Sequence, residues 1–536
     1  MKTLYKLFAV FAGAALVLNA CSEKLLDIPQ QGVQSEDNSY ITDDDCMAAT
    51  TAIYHAWRAA WSGCGYTIGQ VYANLFWMKN LMADDMISGI GGSEEEFANS
   101  TVTPANTWVE ACYNGLFRTV YYSNMVLDKF TAESDVKARC IAEARFFRAL
   151  SYYELITLWG AVPKVDHVLA PEEYNIGKTE IADLWDFVEK DLNAAIDSGK
   201  LPSKTGIDDK DTGTRITREA ALAVLGKVYL TEEKFSEAKG AFEKVINSRL
   251  YGLIPDMNDL YHMQANGCRE YIFENVRKWD TANLRNPDAA ASAVQDGWYG
   301  LQDNWIFPYA FTTDGTNTFP FVDLMGWGDM NPTRKIYEAF VAEEGASSYR
   351  RLASCLVVND LSSFGVIYTG SAKWTGNEGV LRFKWLMSQE DEIWNAWTGN
   401  LTNTPCMRYA DVLLMMAEAC VRGGLGSADT YVNEVRARAG LAPKSGVTLA
   451  DVKKERQLEL CFEAVRFQDL KRWGDLPTEL KDKGKKLPTL MPGNIVNYSD
   501  NPDPAAGWQN RDYLLPFPLS EIQTNKALAD QQNPDY

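Results

Sequence analysis

Apolar residues recur at intervals of three and four along residues 43–248, which predicts a series of amphipathic helices. The clearest examples are Asp135–Trp159 and Thr179–Ser198, each of which has one continuous apolar stripe. Gly199 and Pro202 follow the second stripe and predict its end, because neither residue continues a helix well. The first half of the chain is therefore expected to be mainly helical.

A more specific helical pattern lies within Arg218–Ser248. The residues at the positions of the tetratricopeptide pattern are Leu225, Gly226, Tyr229, Ala238 and Phe242. Gly226 and Ala238 are small where two antiparallel helices would approach closely, and Glu232–Lys234 supplies a polar turn. Two unrelated amphipathic helices are the alternative interpretation. Several such hairpins in one chain predict an α-solenoid, which leaves a long surface for partners.

The pattern changes near Tyr251. Residues 251–404 are rich in Gly, Asn, Asp, Thr and Trp and lack a sustained period, which predicts an insert of irregular structure and short strands. Helical periodicity returns over Met407–Arg422, Ala428–Ala439 and Leu449–Leu470, and a short helix is predicted near Ser520–Leu528. We therefore expect a mainly α protein with one domain over 43–536, made of a helical part (43–250), the insert (251–404) and a C-terminal part (405–536).

The N-terminus has the features of an export signal. Two lysines precede an uncharged apolar run, Leu7–Leu18, that is shorter than the ~20 residues needed to span a bilayer. A small residue directly precedes Cys21, and this junction resembles the bacterial lipobox, whose cysteine is lipidated before cleavage. An ordinary signal peptide with a chance cysteine is the alternative. We expect loss of residues 1–20, a membrane anchor through lipid on Cys21, and a polar tether over 21–42.

The charge of the chain limits its partners. The formal net charge is −20, and it becomes −22 when Lys2 and Lys6 leave with the signal peptide. Such an acidic surface argues against nucleic acid and anionic lipid. It is compatible with a neutral ligand or with a cationic patch on another protein.

The cysteines give little sign of a metal site. The ten cysteines include no CxxC motif and no Cys/His cluster, so zinc is not expected. Cys112 and Cys140, among others, lie in apolar helical stripes, where a free thiol packs as a small hydrophobic group. One or two disulfides stay open, and no pairing is assigned.

Motifs of catalysis are incomplete. None of the three histidines has an acidic or cysteine partner at metal-ligand spacing, and no GxSxG, HExxH or full phosphate-loop motif occurs. Asp208, Asp209 and Asp211 resemble half of a calcium loop but lack its closing glutamate. We expect a non-catalytic protein without a cofactor or metal. A surface glycosidase is a weaker alternative, because the spatial separation of carboxylates cannot be read from sequence.

Aromatic residues in polar surroundings are the positive signal for a ligand. The chain has 16 Trp, and several rings lie among Asn, Asp, Thr and Gly within 97–108 and 298–327. Flat rings stack on the C–H faces of sugars, while amides and carboxylates bind the hydroxyl groups; burial would explain any single ring equally well. The candidate stacking residues are Phe97, Trp108, Trp298, Tyr299, Trp305, Tyr309 and Trp327, and the candidates for hydroxyl binding are Asn99, Asp303 and Asn304.

Three segments of the C-terminal part resemble hallmark motifs of the SusD/RagB family. They are Arg408–Ala419 (RYADVLLMMAEA), Val432–Gly440 (VNEVRARAG) and Glu455–Trp473, whose matching residues include Glu455, Arg456, Glu459, Glu463, Arg466, Asp469 and Trp473. Leu515–Pro518 and Gln532–Tyr536 are similar to the family's C-terminal end, and Ala83–Asp85 also fits. Asp535 stands where the family usually has Gly, and Ala464-Val465 stand where Gly-His is common.

The resemblance runs from Cys21 to Tyr536 and implies both a fold and a role. It implies an α-superhelix of tetratricopeptide-like pairs in a surface lipoprotein of Bacteroidetes-type bacteria. It further implies a non-catalytic protein of the outer membrane that captures a nutrient, usually a glycan, for a TonB-dependent SusC-like transporter. Some members serve peptide uptake, so a peptide ligand is the alternative. The identity of the ligand does not carry over, because the binding loops vary among members.

Overall fold

The computed structural model describes residues 40–62, 74–89, 92–276, 311–316, 330–368, 374–386, 388, 402–491 and 493–536. Over these residues the protein is mainly helical, and the predicted fold class is confirmed. The helices of the first part are α1 Asp43–Ser62, α2 Leu75–Met82, α3 Ser93–Asn99, α4 Thr107–Lys129, α5 Asp135–Trp159, α6 Ile181–Asp197, α7 Arg218–Thr231 and α8 Phe235–Ser248.

Helix α5 is the centre of the first part. It begins after Ser134, whose side chain accepts a hydrogen bond from the Lys137 N–H at 3.1 Å and so caps the helix. It is buried over most of its length because α1, α4 and α6 all pack against it. The apolar stripe that predicts this helix therefore accounts for only one of its buried sides, because neighbouring helices pack on several sides.

The tetratricopeptide-like pair forms as predicted from α7 and α8. Gly226 lies against the ring of Phe242, and a Cβ atom at Gly226 would come within 2.5 Å of the ring carbon Cε1. Ala238 is completely buried in the same helix contact. The small residues of the pattern are therefore required by the close approach of the two helices.

The described residues of the insert form short strands, as expected, together with helices. The helices are α9 Arg334–Glu344 and α10 Tyr349–Ser354. The strands in the described part of the chain are β1 Met86–Ile87, β2 Tyr271–Asn275, β3 Phe311–Thr313, β4 Asn331–Pro332, β5 Cys355–Val357, β6 Val366–Tyr368, β7 Trp374–Thr375, β8 Val380–Arg382, β9 Thr404–Arg408, β10 Lys486–Met491 and β11 Ile495–Asp500. The antiparallel pairs are β1–β4, β2–β9, β3–β6 and β5–β8, and β10 lies between β7 and β11.

The C-terminal helices continue the helical stack begun in the first part. They are α11 Tyr409–Gly423, α12 Asp429–Arg438, α13 Leu449–Glu459, α14 Arg466–Trp473, α15 Leu476–Glu479 and α16 Leu519–Thr524. Helix α11 packs against α8 on one side and against α12 and α13 on the other, and the main hydrophobic core contains residues of both helical parts. The single-domain organisation itself stays a prediction.

One helix prediction is wrong in this region. Leu449–Leu470 was expected to be continuous, but α13 ends at Glu459 and α14 begins at Arg466. Phe462 and Ala464 between them have φ angles of 65° and 60°, which a right-handed helix does not allow. Their N–H groups bind the side chains of Asp85 and Asn80, so contacts distant in sequence stabilise the break.

Candidate functional site

Three chain segments converge beside the first predicted binding segment. In the β1–β4 pair, Ile87 lies opposite Asn331, and the Asn331 side-chain amide donates to the Gly376 carbonyl at 3.0 Å. A Cβ atom at Gly89 would lie 2.0 Å from the Thr375 carbonyl oxygen, so only glycine fits this approach. We call residues 86–89, 330–333 and 374–376 the loop junction.

A buried pair of carboxylates fixes the loop junction to the C-terminal part. Asp84 accepts two hydrogen bonds from Arg466, at 2.8 and 3.1 Å, and pairs with Lys335 at 2.7 Å. Burial alone would raise the pKa of Asp84, but Arg466 and Lys335 outweigh it and hold that pKa well below its usual range. The two cations therefore keep Asp84 ionised inside the protein.

Asp85 is held differently from its neighbour. Its backbone carbonyl accepts from the Thr333 N–H at 2.9 Å, and its carboxylate accepts from the Phe462 N–H at 3.2 Å. Burial and the adjacent charge of Asp84 raise the pKa of Asp85 to about 7. Asp84 and Asp85 together link β1, the segment after β4 and the turn between α13 and α14.

Phe97 and Trp108, two of the predicted stacking residues, lie in the hydrophobic core. Their side chains are 1% and 3% exposed, and the ring centroids lie 6.2 Å apart. The segment 97–108 was interpreted as a polar loop, but helices α3 and α4 turn both rings inward, and Asn106 caps α4 through the Trp108 and Val109 N–H groups. Neither ring presents a face to solvent, so we correct this part of the prediction: in this structure they are packing residues.

Asn99, a predicted hydroxyl-binding residue, lies at the end of a short helix. It is the last residue of α3 and is half-buried. Its carbonyl accepts from the Gly507 N–H at 3.0 Å, whereas its side-chain amide bonds to none of the residues that the structure describes. The other predicted contacts lie outside the described residues, and these are Trp298, Tyr299, Asp303, Asn304, Trp305, Tyr309 and Trp327. Cys21 also lies outside them.

A polar cavity that the sequence analysis missed lies between α1 and the end of β2. Its volume is about 320 Å³, and its lining residues are Thr51, Tyr54, His55, Arg58, Thr214, Arg215, Glu274, Asn275 and Val276. Burial raises the pKa of Glu274 to about 7, although Asn403 donates to its carboxylate at 3.1 Å. Because Val276 directly follows β2, the cavity lies at the end of that strand, within the insert. The helical periodicity of α1 gave no signal for it.

The hallmark motifs meet in a buried ionic network. Arg408 donates to the carboxylates of Glu270, Glu459 and Glu463, and its side chain is 1% exposed. Arg438 pairs with Glu270 and Glu459, and Arg350 pairs with Glu455 and Glu459. Arg350, Arg408, Arg438, Glu270, Glu455, Glu459 and Glu463 are called the motif network below. Its arginines connect the segment before β2, the start of α11, α12 and α13. The hallmark motifs are therefore part of the helical scaffold.

Over the described residues, no group of three or more His, Cys, Asp or Glu side chains could hold a metal ion. The eight cysteines that the structure describes are free, and seven of them are buried. No helix in the described part of the chain is long and apolar enough to cross a membrane.

The fold and the loop junction define a helical binding scaffold that carries a loop-rich insert. Two family models match the sequence: the SusD family over residues 357–536, and a family described as starch-binding associating with outer membrane over residues 49–230. The chain belongs to the SusD family, as its C-terminal motifs indicate.

Relatives match nearly the whole length. A SusD-like protein of Bacteroides ovatus is 25% identical over 575 residues, covering 98% of this chain and 97% of the relative. The starch-binding protein SusD of Bacteroides thetaiotaomicron is 24% identical and covers 81% of this chain and 80% of its own.

Solved structures share the fold. A laminarin binding SusD-like protein is similar with a TM-score of 0.74 and 24% identity, over 93% of this chain and 100% of that protein. Surface glycan-binding protein A from Bacteroides thetaiotaomicron, in complex with laminarihexaose, has a TM-score of 0.70 and 22% identity, over 92% and 100%. These relatives and structures are named as SusD-like or glycan-binding proteins, and none of them is named as an enzyme.

Proposed function

We propose that this protein is a non-catalytic, lipid-anchored surface protein that binds a nutrient oligo- or polysaccharide and delivers it to a TonB-dependent SusC-like transporter of the outer membrane. The observation that carries the proposal is the loop junction, in a chain of the SusD family. Through the β1–β4 pair, the junction ties β1, which α3 contacts, to the middle of the insert. Similar solved structures are named as binders of laminarin or of surface glycans, which supports a glycan as the ligand class.

Chain length limits how far one predicted contact can lie from the loop junction. Trp327 precedes Asn331 by four residues, and an extended chain spans at most ~14 Å over that length. Asn99 is the last residue of α3. Because α3 contacts β1, Asn99 also lies near the loop junction. We propose that Trp298, Tyr299, Trp305, Tyr309 and Trp327 stack on sugar rings and that Asn99, with Asp303 or Asn304, binds hydroxyl groups.

Affinity electrophoresis against a panel of polysaccharides, including laminarin and starch, tests the ligand class. Removing a ring that covers ~55 Å² of apolar sugar surface should weaken binding about tenfold, at ~25 cal/mol per Å². Trp305→Ala and Trp327→Ala are therefore expected to reduce the retardation of the protein. Tyr174→Ala is the matched control, because Tyr174 is 59% exposed but directly follows a separate short helix, Pro171–Glu173.

The outcomes of this panel separate the candidate functions. Full retardation of both tryptophan variants would remove these rings from the site. Retardation by no polysaccharide would favour a peptide ligand, and release of shortened glycan would favour a surface glycosidase.

The proposed anchor and partner require their own measurements. Mass spectrometry of the mature N-terminus should find a lipidated Cys21, and an unmodified residue upstream of it would contradict the anchor. Affinity purification from outer membranes should recover a TonB-dependent transporter, because a shared membrane raises the effective concentration of two tethered partners. Recovery of the protein alone would contradict the delivery role.

A further inference from the structure

Two buried cysteines meet where α1 packs against α5. Neither Cys46 nor Cys140 has any exposed surface, and both are free thiols in this structure. The two thiols interact across the packed α1–α5 contact, and the Thr50 hydroxyl, one turn later on α1, donates to the Cys46 carbonyl at 2.7 Å. The cysteines are therefore neighbours across a helix–helix contact.

Contacts on either side fix the alignment of these two helices. At their common end, the Ser134 hydroxyl, which caps α5, donates to the Asp43 carboxylate at 2.6 Å. About two turns beyond the cysteines, the rings of Tyr54 and Phe147 pack with centroids 4.6 Å apart. Both helices run in the same direction between these contacts, so the cysteine pair is held between two fixed points.

The two thiols also change each other's acidity. Contact with the Cys46 thiol lowers the pKa of the Cys140 thiol to about 6, and the same contact raises the pKa of Cys46. The thiolate is the form of cysteine that attacks a disulfide.

We propose that Cys46 and Cys140 are joined by a disulfide in the mature protein. The inference rests on the export that the proposed function includes, because disulfides persist outside the reducing cytoplasm. The oxidant is the disulfide of a thiol–disulfide oxidoreductase in the cell envelope. One thiolate attacks that disulfide and forms a mixed disulfide; the second cysteine then attacks this bond, and the two oxidant sulfurs leave as thiols carrying the two protons.

The order of folding and oxidation follows from burial. Because both sulfur atoms are inaccessible once α1 packs on α5, the exchange takes place before that contact closes. The bond would fasten α1 to the central helix of the stack. Helix α1 is the first helix after the predicted tether. A force transmitted from the membrane anchor would therefore reach α1 first, and the bond would hold α1 against α5.

Peptide mapping of the full-length protein tests the bond directly. The protein is isolated from the cell envelope with its free thiols alkylated in denaturant, and it is digested with trypsin without reduction. Trypsin gives fragments 25–58 and 140–145, each with one cysteine, so the pair is unambiguous. We expect the two fragments as one linked species that separates on reduction. Recovery of both as separate alkylated fragments would overturn the proposal, whether or not any variant folds.

Thermal unfolding provides the second measurement. Reductant should lower the midpoint of the wild type by about 4 °C, because the bond closes a loop of roughly 90 residues. The same fall is expected for the control Cys112→Ala, and none for the double variant Cys46→Ala/Cys140→Ala. Free thiols in a protein with a lipidated Cys21 would overturn the disulfide alone. Free thiols with an uncleaved N-terminus would also count against the proposed export.

Discussion

Replacement of Arg408 by alanine should destabilise the protein far more than loss of a surface charge. The guanidinium of Arg408 donates to the Glu463 carboxylate at 2.8 and 2.6 Å and to the Glu459 carboxylate at 3.2 Å, and it also binds Glu270. All three carboxylates lie in the protein interior. Arg408→Ala would leave them close together with part of their positive charge removed.

The magnitude follows from two separate considerations. Removing one partner of a buried ion pair costs about 3–5 kcal/mol, because the remaining charge stays desolvated. Burial opposes the ionisation of Glu459, but Arg438, Arg408 and Arg350 outweigh it and lower its pKa to about 2. A shift of that size from an ordinary glutamate corresponds to about 3 kcal/mol shared among these arginines. We therefore expect Arg408→Ala to lose about 3–4 kcal/mol of unfolding free energy.

Urea unfolding followed by circular dichroism measures this loss. Lys190→Ala is the control, because Lys190 and Asp186 form an exposed pair at 2.5 Å whose loss should cost at most about 0.5 kcal/mol. Since the pKa of Glu459 is lowered, its contribution is present above about pH 4 and is lost as the pH falls towards about 2. The difference between wild type and Arg408→Ala should shrink over that range. A loss below 1 kcal/mol at pH 7 would refute the reasoning.

Three further predictions concern packing, pH dependence and domain organisation. Gly226→Ala should lose about 1–3 kcal/mol in urea unfolding, because its Cβ atom would overlap the Phe242 ring, whereas Gly240→Ala, with nothing within 4 Å, should not destabilise α8. The pKa of Asp85 is raised to about 7, so its contribution to the unfolding free energy is lost as the pH rises from about 4 to 7. The Asp85→Asn variant should therefore lose less stability than the wild type over that range in urea unfolding. Parallel curves of unfolding free energy against pH would contradict this. Limited proteolysis should not yield two independently folded halves, because α11 packs against α8.

Long periodic segments of the sequence predict this fold well, and short ones do not. The stripe in Asp135–Trp159 gives α5 with its correct ends, because a long amphipathic helix repeats its period many times. Helix α3 has seven residues and an acidic first turn, so its buried Phe97 looked like a ring in a polar loop. The break after Glu459 was not predictable, because Asp85 and Asn80 that stabilise it lie far away in sequence.

The hallmark motifs could be recognised in the sequence but not interpreted from it. Arg408, Arg438 and Glu459 stand in three separate motifs, and only the structure brings them together in the motif network. The polar cavity beside Tyr54 had no sequence signal either, because its lining comes from a helix, a turn and a strand end. The ligand class was inferred from aromatic rings in polar segments, and the tests above decide it.

The β2–β9 pair has a consequence for how ligand preference can change. Asn275 lies opposite Thr404, so the stretch between β2 and β9 begins and ends side by side, next to the charges around Arg408. Everything between these two strands is one uninterrupted stretch of coding sequence. A chimaera that receives the corresponding stretch from a relative would keep both helical parts, and the donor stretch must supply the cations that Lys335 and Arg350 now provide to Asp84, Glu455 and Glu459. Under the proposed function, recombination of this stretch would change the nutrient that the protein binds in a single genetic event.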